Sequence, residues 1–278
     1  MICWKDGHFL PAEEATVSAT DLVVQRGYGV FDFARDCHGR LFHFNDHLAR
    51  LRRSAEALFL PVRLSNVELT WIAERVVNDS CLERPAVRIF VTGGCGSSEP
   101  LFSDASIIVL GEERAAVDPE IYTQGVPLMT VEFQRELPEV KSVNYLNAIR
   151  IEPLKRRHGV FDVLYYSQSG VTECPRNNFF AVRDGVIVTP DQNVLAGVTR
   201  SIVLRLADGV FPVEERTMKR EELQHADEAF ITSTSKQIVP VTSVDGDRIG
   251  TGRPGRVTAR LMQLFDDYVE AWSAEASI

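Results

Sequence analysis

The sequence has no apolar run long enough to cross a membrane. Its longer runs, such as IIVL at 107–110, are far below the roughly 20 residues that a membrane helix needs. The start, MICWKDGHFL, lacks a basic segment followed by an apolar one, so no secretory signal is expected. We therefore expect a cytoplasmic protein that does not bind membranes.

Cysteine is scarce, and its spacing excludes the common cysteine frameworks. The chain has five cysteines, an odd number, and none belongs to a C-x-x-C pair. Neither a disulfide framework nor a zinc knuckle is expected. His43 and His47 are four residues apart but have no glutamate between them, so a metalloprotease motif is excluded as well. We expect no metal and a reducing compartment.

Positive charge is also limited, since the formal net charge is −9. A nucleic-acid binder needs a basic face, so a small-molecule partner is expected instead. Hydrophobic residues make up 45% of the 278 positions, which is enough for a sizeable core. This composition excludes intrinsic disorder and allows two domains.

Lysine is much rarer than arginine, with five residues against 25. A lysine in a structured, half-apolar context is therefore a candidate for amine chemistry. Lys141 lies in E-V-K-S-V-N-Y-L, between a strand pattern and a helix pattern. Partial burial there would lower its pKa and favour imine formation, although a surface lysine in a loop is the ordinary alternative.

The pattern of apolar positions and turns predicts a mixed α/β (α+β) fold with two unequal domains. A polar stretch that ends at Pro119 interrupts the strand pattern and marks a boundary. We expect a first domain over 1–115, a linker over 116–124 and a second domain over 125–278.

Turns and caps place the helices and hairpins. Asp6-Gly7 and His38-Gly39 predict hairpin turns near the start of the chain. Asn45 is the expected cap of the first helix, and a capping box over 65–68 is expected to begin the second. Helices are predicted at about 46–58, 65–78, 144–157, 198–207, 219–226 and 255–272.

Three segments suit an anionic ligand. Arg50 lies on a predicted helix and could bind a phosphate, with a solvated helix face as the alternative. A glycine loop leads into the helix predicted at 198, which leaves the amides of Val198 and Thr199 unpaired for a phosphate. The turn containing Thr234 and Ser235 offers amides and hydroxyls to an anion.

Glu173 follows a strand in V-T-E-C-P-R-N-N-F-F. A carboxylate among apolar and aromatic residues is costly unless it meets a cation. A protonated ring nitrogen is one such cation.

These residues occur in an order that resembles the class IV aminotransferases, which use pyridoxal 5′-phosphate. H-L-A-R-L resembles the family's phosphate-binding arginine segment, K-S-V-N-Y-L its Schiff-base lysine segment, and V-T-E followed by N-x-F its glutamate on the pyridine nitrogen. G-V-T-R resembles the phosphate-binding helix start, and S-T-S-K-Q the turn that serves phosphate and substrate carboxylate. The resemblance implies that Lys141 is catalytic and that the cofactor-binding residues are Arg50, Lys141, Tyr145, Glu173, Gly197, Val198, Thr199, Thr234 and Ser235.

The resemblance further implies the fold type IV architecture. It consists of a small N-terminal α/β domain and a larger C-terminal pseudo-barrel domain that carries the lysine. A homodimer is implied, in which a loop of one subunit reaches the active site of the other. The implied substrates are an amino acid and a 2-oxo acid.

Residues that would face the substrate distinguish the members of the family. The Arg-x-His trap of the better-known D-amino acid transaminases is absent, because the stretch after the strand at 86–92 reads T-G-G-C-G-S-S-E-P-L-F. A subset of D-selective enzymes instead carries R-G-Y-G-x-F-D-F and an arginine in the following strand, as here. On this resemblance the substrate-binding residues are Arg26, Phe31, Arg88, Ser235 and Lys236.

D-amino acid:2-oxoglutarate transamination is therefore the expected activity, and other activities remain open. A branched-chain L-amino acid aminotransferase is second, although Arg26 replaces that group's tyrosine and a guanidinium suits an apolar pocket poorly. An aminodeoxychorismate lyase and a non-catalytic cofactor-binding protein are further alternatives. Arg88 could also pair with a nearby acidic residue while Arg26 is merely exposed.

Overall fold

The computed structural model describes residues 1–274. The chain divides into two compact units. The first unit contains Met1–Ala115 and Val140–Asn144, and the second contains Ala116–Glu139 and the chain from Tyr145 onward. None of the helices in this part of the chain is both long and apolar enough to cross a membrane.

The first unit contains six strands and three α-helices. In chain order these are β1 (Ile2–Lys5), β2 (His8–Pro11), α1 (Leu22–Arg26), β3 (Gly29–Cys37), β4 (Arg40–Leu41), α2 (Phe44–Ala57), α3 (Asn66–Asp79), β5 (Pro85–Thr92) and β6 (Ile107–Glu113).

An antiparallel sheet in the order β2-β1-β6-β5-β3-β4 forms this unit. Because side chains alternate across a strand, Val87, Ile89 and Val91 of β5 face one side, where α2 and α3 complete the core. Arg88 and Phe90 face the other side. Two-residue turns with positive φ at both positions connect β1 to β2 and β3 to β4, which confirms the predicted hairpins.

The helix caps agree with the sequence in one case and differ in the other. Ser65 and Glu68 form the predicted capping box of α3, with the Ser65 Oγ accepting from the Glu68 amide and the Glu68 side chain accepting from the Ser65 amide. The predicted Asn45 cap of α2 is wrong. The helix begins at Phe44 and its cap is His43, because the left-handed backbone of His43 turns the chain into the helix and Phe44 is already buried in the first turn.

The second unit contains nine strands and five α-helices within the described residues. In chain order these are α4 (Glu120–Thr123), β7 (Val126–Glu132), α5 (Leu146–Arg150), α6 (Glu152–His158), β8 (Asp162–Ser167), β9 (Gly170–Val171), β10 (Asn178–Arg183), β11 (Val186–Thr189), α7 (Val198–Ala207), β12 (Val213–Glu215), β13 (Glu228–Ser233), β14 (Gln237–Val244), β15 (Asp247–Arg248) and α8 (Arg256–Ala274).

Eight of these strands form a curled path in the order β12-β11-β10-β13-β14-β7-β8-β9, and β15 pairs with β14. The path mixes parallel and antiparallel pairs. An isolated bridge joins Val171 of β9 to Met218, which follows β12, so the two ends of the path approach each other. The expected mixed α/β fold with a pseudo-barrel unit is thereby confirmed.

Two predicted helices differ in detail. The helix predicted at 144–157 is divided into α5 and α6, because Pro153 lacks an amide hydrogen and occupies the first turn of α6. The helix predicted at 219–226 is a 3-10 helix over Arg220–His225.

Candidate functional site

Lys141 is anchored on the edge of the first unit's sheet. The Phe31 amide donates to the Lys141 carbonyl at 3.0 Å, and the Val143 amide donates to the Gly29 carbonyl at 3.0 Å. The Lys141 amide in turn donates to the buried Ser54 hydroxyl of α2 at 3.1 Å. The sequence assigns Lys141 to the second domain, but this pairing with β3 joins 140–144 to the first unit.

The Phe31 ring is close to both the amine of Lys141 and the guanidinium of Arg88. The Lys141 Nζ is 4.6 Å and the Arg88 Cζ is 5.1 Å from the ring centroid. Arg88 also donates two hydrogen bonds to the Glu112 carboxylate, at 2.6 and 2.8 Å. The anion that contacts Arg88 in this structure is therefore Glu112, a pairing that the sequence analysis left open.

Arg50 is buried on α2 and forms a forked ion pair with Asp32. Its Nε and Nη2 donate to the two Asp32 oxygens at 2.8 Å each, and the His47 Nδ1 lies 2.8 Å from Asp32 Oδ1. Arg53, three residues along α2, is exposed, and Arg52 donates to Asn66 and to loop carbonyls. Arg50 is therefore the one buried guanidinium in the R-L-R-R run.

The charge states of Asp32 and His47 follow from their burial and their contacts with Arg50. Burial raises the pKa of Asp32, but the Arg50 guanidinium and its hydrogen bonds outweigh burial and hold this pKa well below its ordinary value. Burial lowers the pKa of His47, in spite of its hydrogen bond to Asp32. Asp32 is therefore an anion and His47 a neutral ring at neutral pH.

Arg26 is the last residue of α1. Its side chain is exposed, and its Nη1 donates to the Gln25 carbonyl at 2.8 Å. Gly27 ends the helix in the left-handed conformation, with φ of 64°.

In the second unit, Glu173 is a buried carboxylate with three donors. Its Oε2 accepts from the Asn178 side chain and from the Leu195 amide, at 3.0 Å each. Its Oε1 accepts from Arg135 at 3.2 Å. These three donors hold the Glu173 carboxylate in place.

The start of α7 lies beside this carboxylate. Gly197 is its N-cap, and no side chain caps the helix. A Cβ at Gly197 would collide with Asn178 Oδ1, so only glycine allows α7 to approach the residue that binds Glu173. An uncapped helix start is a ready site for a phosphate, and Val198 and Thr199 supply its first amides.

The predicted hydroxyl-rich turn connects β13 to β14. Thr234 and Ser235 are half-buried in it. Just before the turn, the side-chain oxygens of Thr232 and Ser233 are buried and have no hydrogen-bond partner among the described residues. Buried hydroxyls usually have partners, so this strand end suits a polar ligand.

Two further predicted residues also lie in the second unit. Tyr145 precedes α5, and the Arg135 Cζ is 5.7 Å from its ring centroid. The Lys236 Nζ is 5.8 Å from the ring centroid of Phe161, and burial lowers the pKa of Lys236.

Sequence reasoning missed the residues that hold the predicted ones. Asp32 was noted only within the F-D-F motif, and Asn178 only within N-x-F. Arg135 gave no signal at all, because it lies 38 residues before its partner Glu173. For Asp32 a signal existed, since β3 alternates and a lone acid between Phe31 and Phe33 must face the helix side.

The comparison with known proteins identifies the family. A family model described as amino-transferase class IV matches residues 29–244. The chain therefore belongs to the class IV aminotransferases and is an enzyme.

Relatives agree with this assignment. The D-alanine aminotransferase of Listeria monocytogenes serotype 4b (strain F2365) is 30% identical over 277 residues, which cover 96% of this chain and 96% of that protein. The D-alanine aminotransferase of Staphylococcus aureus (strain N315) is 29% identical over 275 residues, covering 96% and 98%.

Among solved structures, the branched-chain amino acid aminotransferase of Escherichia coli superposes with a TM-score of 0.87 at 30% identity, covering 96% of this chain and 93% of that one. The branched-chain aminotransferase of Thermoproteus uzoniensis, solved with norvaline, gives a TM-score of 0.86 at 28% identity, covering 97% and 94%. A T.th. branched-chain amino acid aminotransferase, solved with pyridoxamine 5′-phosphate, gives a TM-score of 0.88 at 27% identity, covering 96% and 93%. The fold of this chain is thus that of fold type IV aminotransferases.

The Asp32–Arg50 pair generates a stability prediction. Asp32→Asn should lower the free energy of unfolding at neutral pH by about 3–5 kcal/mol, because it removes the carboxylate that forms the forked pair with the buried Arg50 guanidinium. The folded pKa of Asp32 lies below its unfolded value of about 4, so its contribution is present above that pH and is lost as the pH falls further. The gap between wild type and variant in urea unfolding should therefore shrink below about pH 4.

Asp79→Asn is the matched control, because its partner Arg75 is on the surface at 3.3 Å. It should cost less than about 1 kcal/mol at any pH. Equal losses for the two variants at neutral pH would show that the buried pair has no special role in stability.

Proposed function

We propose that this enzyme uses pyridoxal 5′-phosphate and moves the amino group of a D-amino acid to 2-oxoglutarate. Relatives over almost the whole chain carry the name D-alanine aminotransferase. The observation that carries the proposal is that the Lys141 amine and the Arg88 guanidinium lie over the same Phe31 ring. An amino acid needs both a reacting amine and a carboxylate-binding cation, and this ring brings the two within one substrate's reach.

The donor set supports this cofactor. Pyridoxal phosphate supplies an aldehyde that takes up and releases an amino group, and a protonated ring that accepts an electron pair. The residues that would hold it provide a primary amine at Lys141, a buried anion at Glu173, a buried guanidinium at Arg50 and an uncapped helix start at α7. The unpartnered hydroxyls of Thr232 and Ser233 are further polar groups at the end of β13.

Lys141 is the proposed catalytic residue. Its backbone is fixed at both its amide and its carbonyl, so its Nζ can return to one position after each proton transfer. We assign to this Nζ the removal of the proton from the Cα of the donor amino acid and, in the second half of the reaction, the delivery of a proton to the Cα of the product amino acid. The aromatic face of Phe31, 4.6 Å away, stabilises the amine when it is charged.

Arg50 and α7 are the proposed phosphate site. Asp32 accepts from two of the Arg50 nitrogens and thereby fixes the plane of the guanidinium. A guanidinium whose plane is fixed favours a directed, charge-assisted contact with a phosphate. The amides of Val198 and Thr199, the Gly197 segment, and the turn of Thr234 and Ser235 complete the set.

Glu173 is the proposed partner of the ring nitrogen. Its three donors fix the position of the carboxylate, and a carboxylate beside a pyridine nitrogen would favour the protonated form of that nitrogen. Tyr145, near Arg135, is assigned to the cofactor as well.

The substrate carboxylate is assigned to Arg26 and Arg88, with Phe31, Ser235 and Lys236 completing the substrate contacts. Glu112 orients Arg88 through two of its nitrogens, as Asp32 orients Arg50. Arg26 is exposed, which suits a residue that serves the active site of a second subunit. We therefore propose a homodimer. We also propose a cytoplasmic location.

The second candidate is a branched-chain L-amino acid aminotransferase. It is favoured by the solved structures, several of which carry that name at TM-scores of 0.86 to 0.88. Arg26 argues against it, because it stands where that group has a tyrosine, and a guanidinium suits a pocket for a hydrocarbon side chain poorly.

Lys141→Ala tests the catalytic assignment. The variant should lose the visible absorption of bound cofactor, and its turnover should fall by at least about a hundredfold. Borohydride reduction of wild type followed by peptide mapping should label Lys141. Lys219→Ala, at an exposed lysine, is the control and should behave like wild type. Label on another lysine would refute the assignment.

Arg50→Ala tests the phosphate assignment. Loss of a charge-assisted, forked contact should weaken cofactor binding by about 1.5–3 kcal/mol, which is roughly a ten- to hundredfold rise in Kd. Arg53→Ala, on the exposed face of the same helix, should leave Kd unchanged. The reverse pattern in a fluorescence titration of the apoenzymes would mean that the wrong arginine is assigned.

The choice of donor is tested by a chiral panel. With 2-oxoglutarate as acceptor, D-alanine should be turned over, while L-alanine and L-leucine should be at least about a hundredfold poorer in kcat/KM. Glutamate formation is measured by chiral chromatography. Strong turnover of L-leucine with none of D-alanine would reject the D-donor proposal and favour the branched-chain alternative.

A further inference from the structure

The helix that carries Arg26 cannot be stable by itself. α1 has only five residues, and an isolated helix of that length does not form in water. Its position must therefore come from its contacts with the rest of the first unit. Since the long Arg26 side chain is exposed, the position of α1 decides where its guanidinium can reach.

Asp21 and Thr92 form a buried link between α1 and the end of β5. The Asp21 Oδ1 caps α1 by accepting from the Val23 amide at 2.8 Å. The Asp21 Oδ2 accepts from the Thr92 hydroxyl at 2.7 Å. Asp21 and Thr92 are 6% and 1% exposed, so this carboxylate depends on the hydroxyl for compensation of its burial.

The glycine-rich loop, residues 93–96, receives the first residue of α1. The Leu22 amide donates to the Gly94 carbonyl at 2.7 Å. A Cβ at Gly93 would lie 2.8 Å from the Leu22 Cβ, and one at Gly96 would lie 2.7 Å from the Leu22 Cδ1. Gly93 therefore allows the Leu22 Cβ to lie close to the loop backbone, whereas a Cβ at Gly96 would displace only the tip of the Leu22 side chain.

A third contact closes this arrangement. The Thr92 hydroxyl also accepts from the Ser106 amide at 3.1 Å, where the loop returns to the sheet. One hydroxyl thus joins the start of α1, the end of β5 and the residue before β6. The glycine-rich loop follows β5, where the better-known D-amino acid transaminases carry their Arg-x-His pair, but it contains neither residue. It contacts Leu22 of α1 instead.

We infer that Asp21 and Thr92 are positioning residues that set Arg26 for the carboxylate of the D-amino acid, with the glycine-rich loop acting through α1 rather than on the substrate. The inference rests on the proposed function, because it takes Arg26 as a carboxylate ligand. It holds whether Arg26 serves its own subunit or the partner, since the position of α1 is set within one chain.

Thr92→Val removes the hydroxyl and keeps the shape of the side chain. The holoenzyme should retain its cofactor and should change less than about twofold in kcat, while KM for D-alanine rises by about five- to tenfold. Amide hydrogen exchange over residues 22–28 should become faster, because α1 loses its link to β5. An unchanged KM or unchanged exchange would overturn the inference.

A double-mutant cycle separates positioning from a general loss of stability. Arg26→Leu alone should raise KM for D-alanine, and adding Thr92→Val to it should raise KM no further. If the two effects simply multiply, Thr92 does not act through Arg26 and the inference fails alone. If Arg26→Leu leaves KM unchanged, the proposed carboxylate assignment itself fails.

Matched variants complete the design. Thr258→Val removes an equally buried hydroxyl that donates to a carboxylate at 2.7 Å, where Glu228 accepts from the first amides of α8, and it should leave KM unchanged. Thr92→Ser should restore the wild-type KM. If Thr92→Val does not fold, Asp21→Asn retains an N-cap residue while weakening the link, and it should give the same KM rise. A wild-type KM for Asp21→Asn would overturn the inference.

Discussion

Two backbone hydrogen bonds between β3 and the segment 140–144 determine where Lys141, the proposed catalytic residue, lies. They join Phe31 to Lys141 and Val143 to Gly29, and so make a piece of chain from the middle of the sequence part of the first unit's sheet. Because side chains alternate along a strand, β3 places functional candidates on both faces of the sheet. Phe31 contacts the amine of Lys141, and Asp32, the next residue, binds Arg50 on the helix side.

Ion pairs within the protein fix the orientation of three charged side chains of this enzyme. Arg50 has its plane set by Asp32, Arg88 by Glu112, and Glu173 is held by Arg135 together with two further donors. In each case a group that we propose as a ligand contact is already oriented by a protein partner of opposite charge. Preorganisation of this kind lowers the entropic cost of binding and favours one geometry of the reacting atoms.

The sequence supports prediction wherever local chemistry is decisive. Hairpin turns and the Ser65 capping box follow from residue types alone, and the fold class follows from the pattern of apolar positions and turns. The start of α2 at Phe44 could not be predicted, because tertiary burial and the left-handed His43 decide it. The membership of 140–144 in the first unit also depends on pairing with a strand more than 100 residues away.

Candidate site residues divide in the same way. The sequence singles out Lys141, Glu173 and Arg50 because their types and neighbours are unusual, and the structure shows that Arg50 and Glu173 are buried charged groups with partners. Among their partners, Asp32 carried a signal in the alternation of its strand, whereas Arg135 could not be predicted, since only folding brings it near Glu173.

The most direct test of the account is exchange of the substrate Cα hydrogen with solvent. The holoenzyme is incubated in deuterium oxide with D-alanine, L-alanine or L-leucine, and the Cα signal is followed by proton NMR. Transfer of this proton by Lys141 on one face of a substrate oriented by its carboxylate predicts loss of the signal from D-alanine and its persistence in both L-amino acids. Exchange of L-leucine with D-alanine intact would contradict the account.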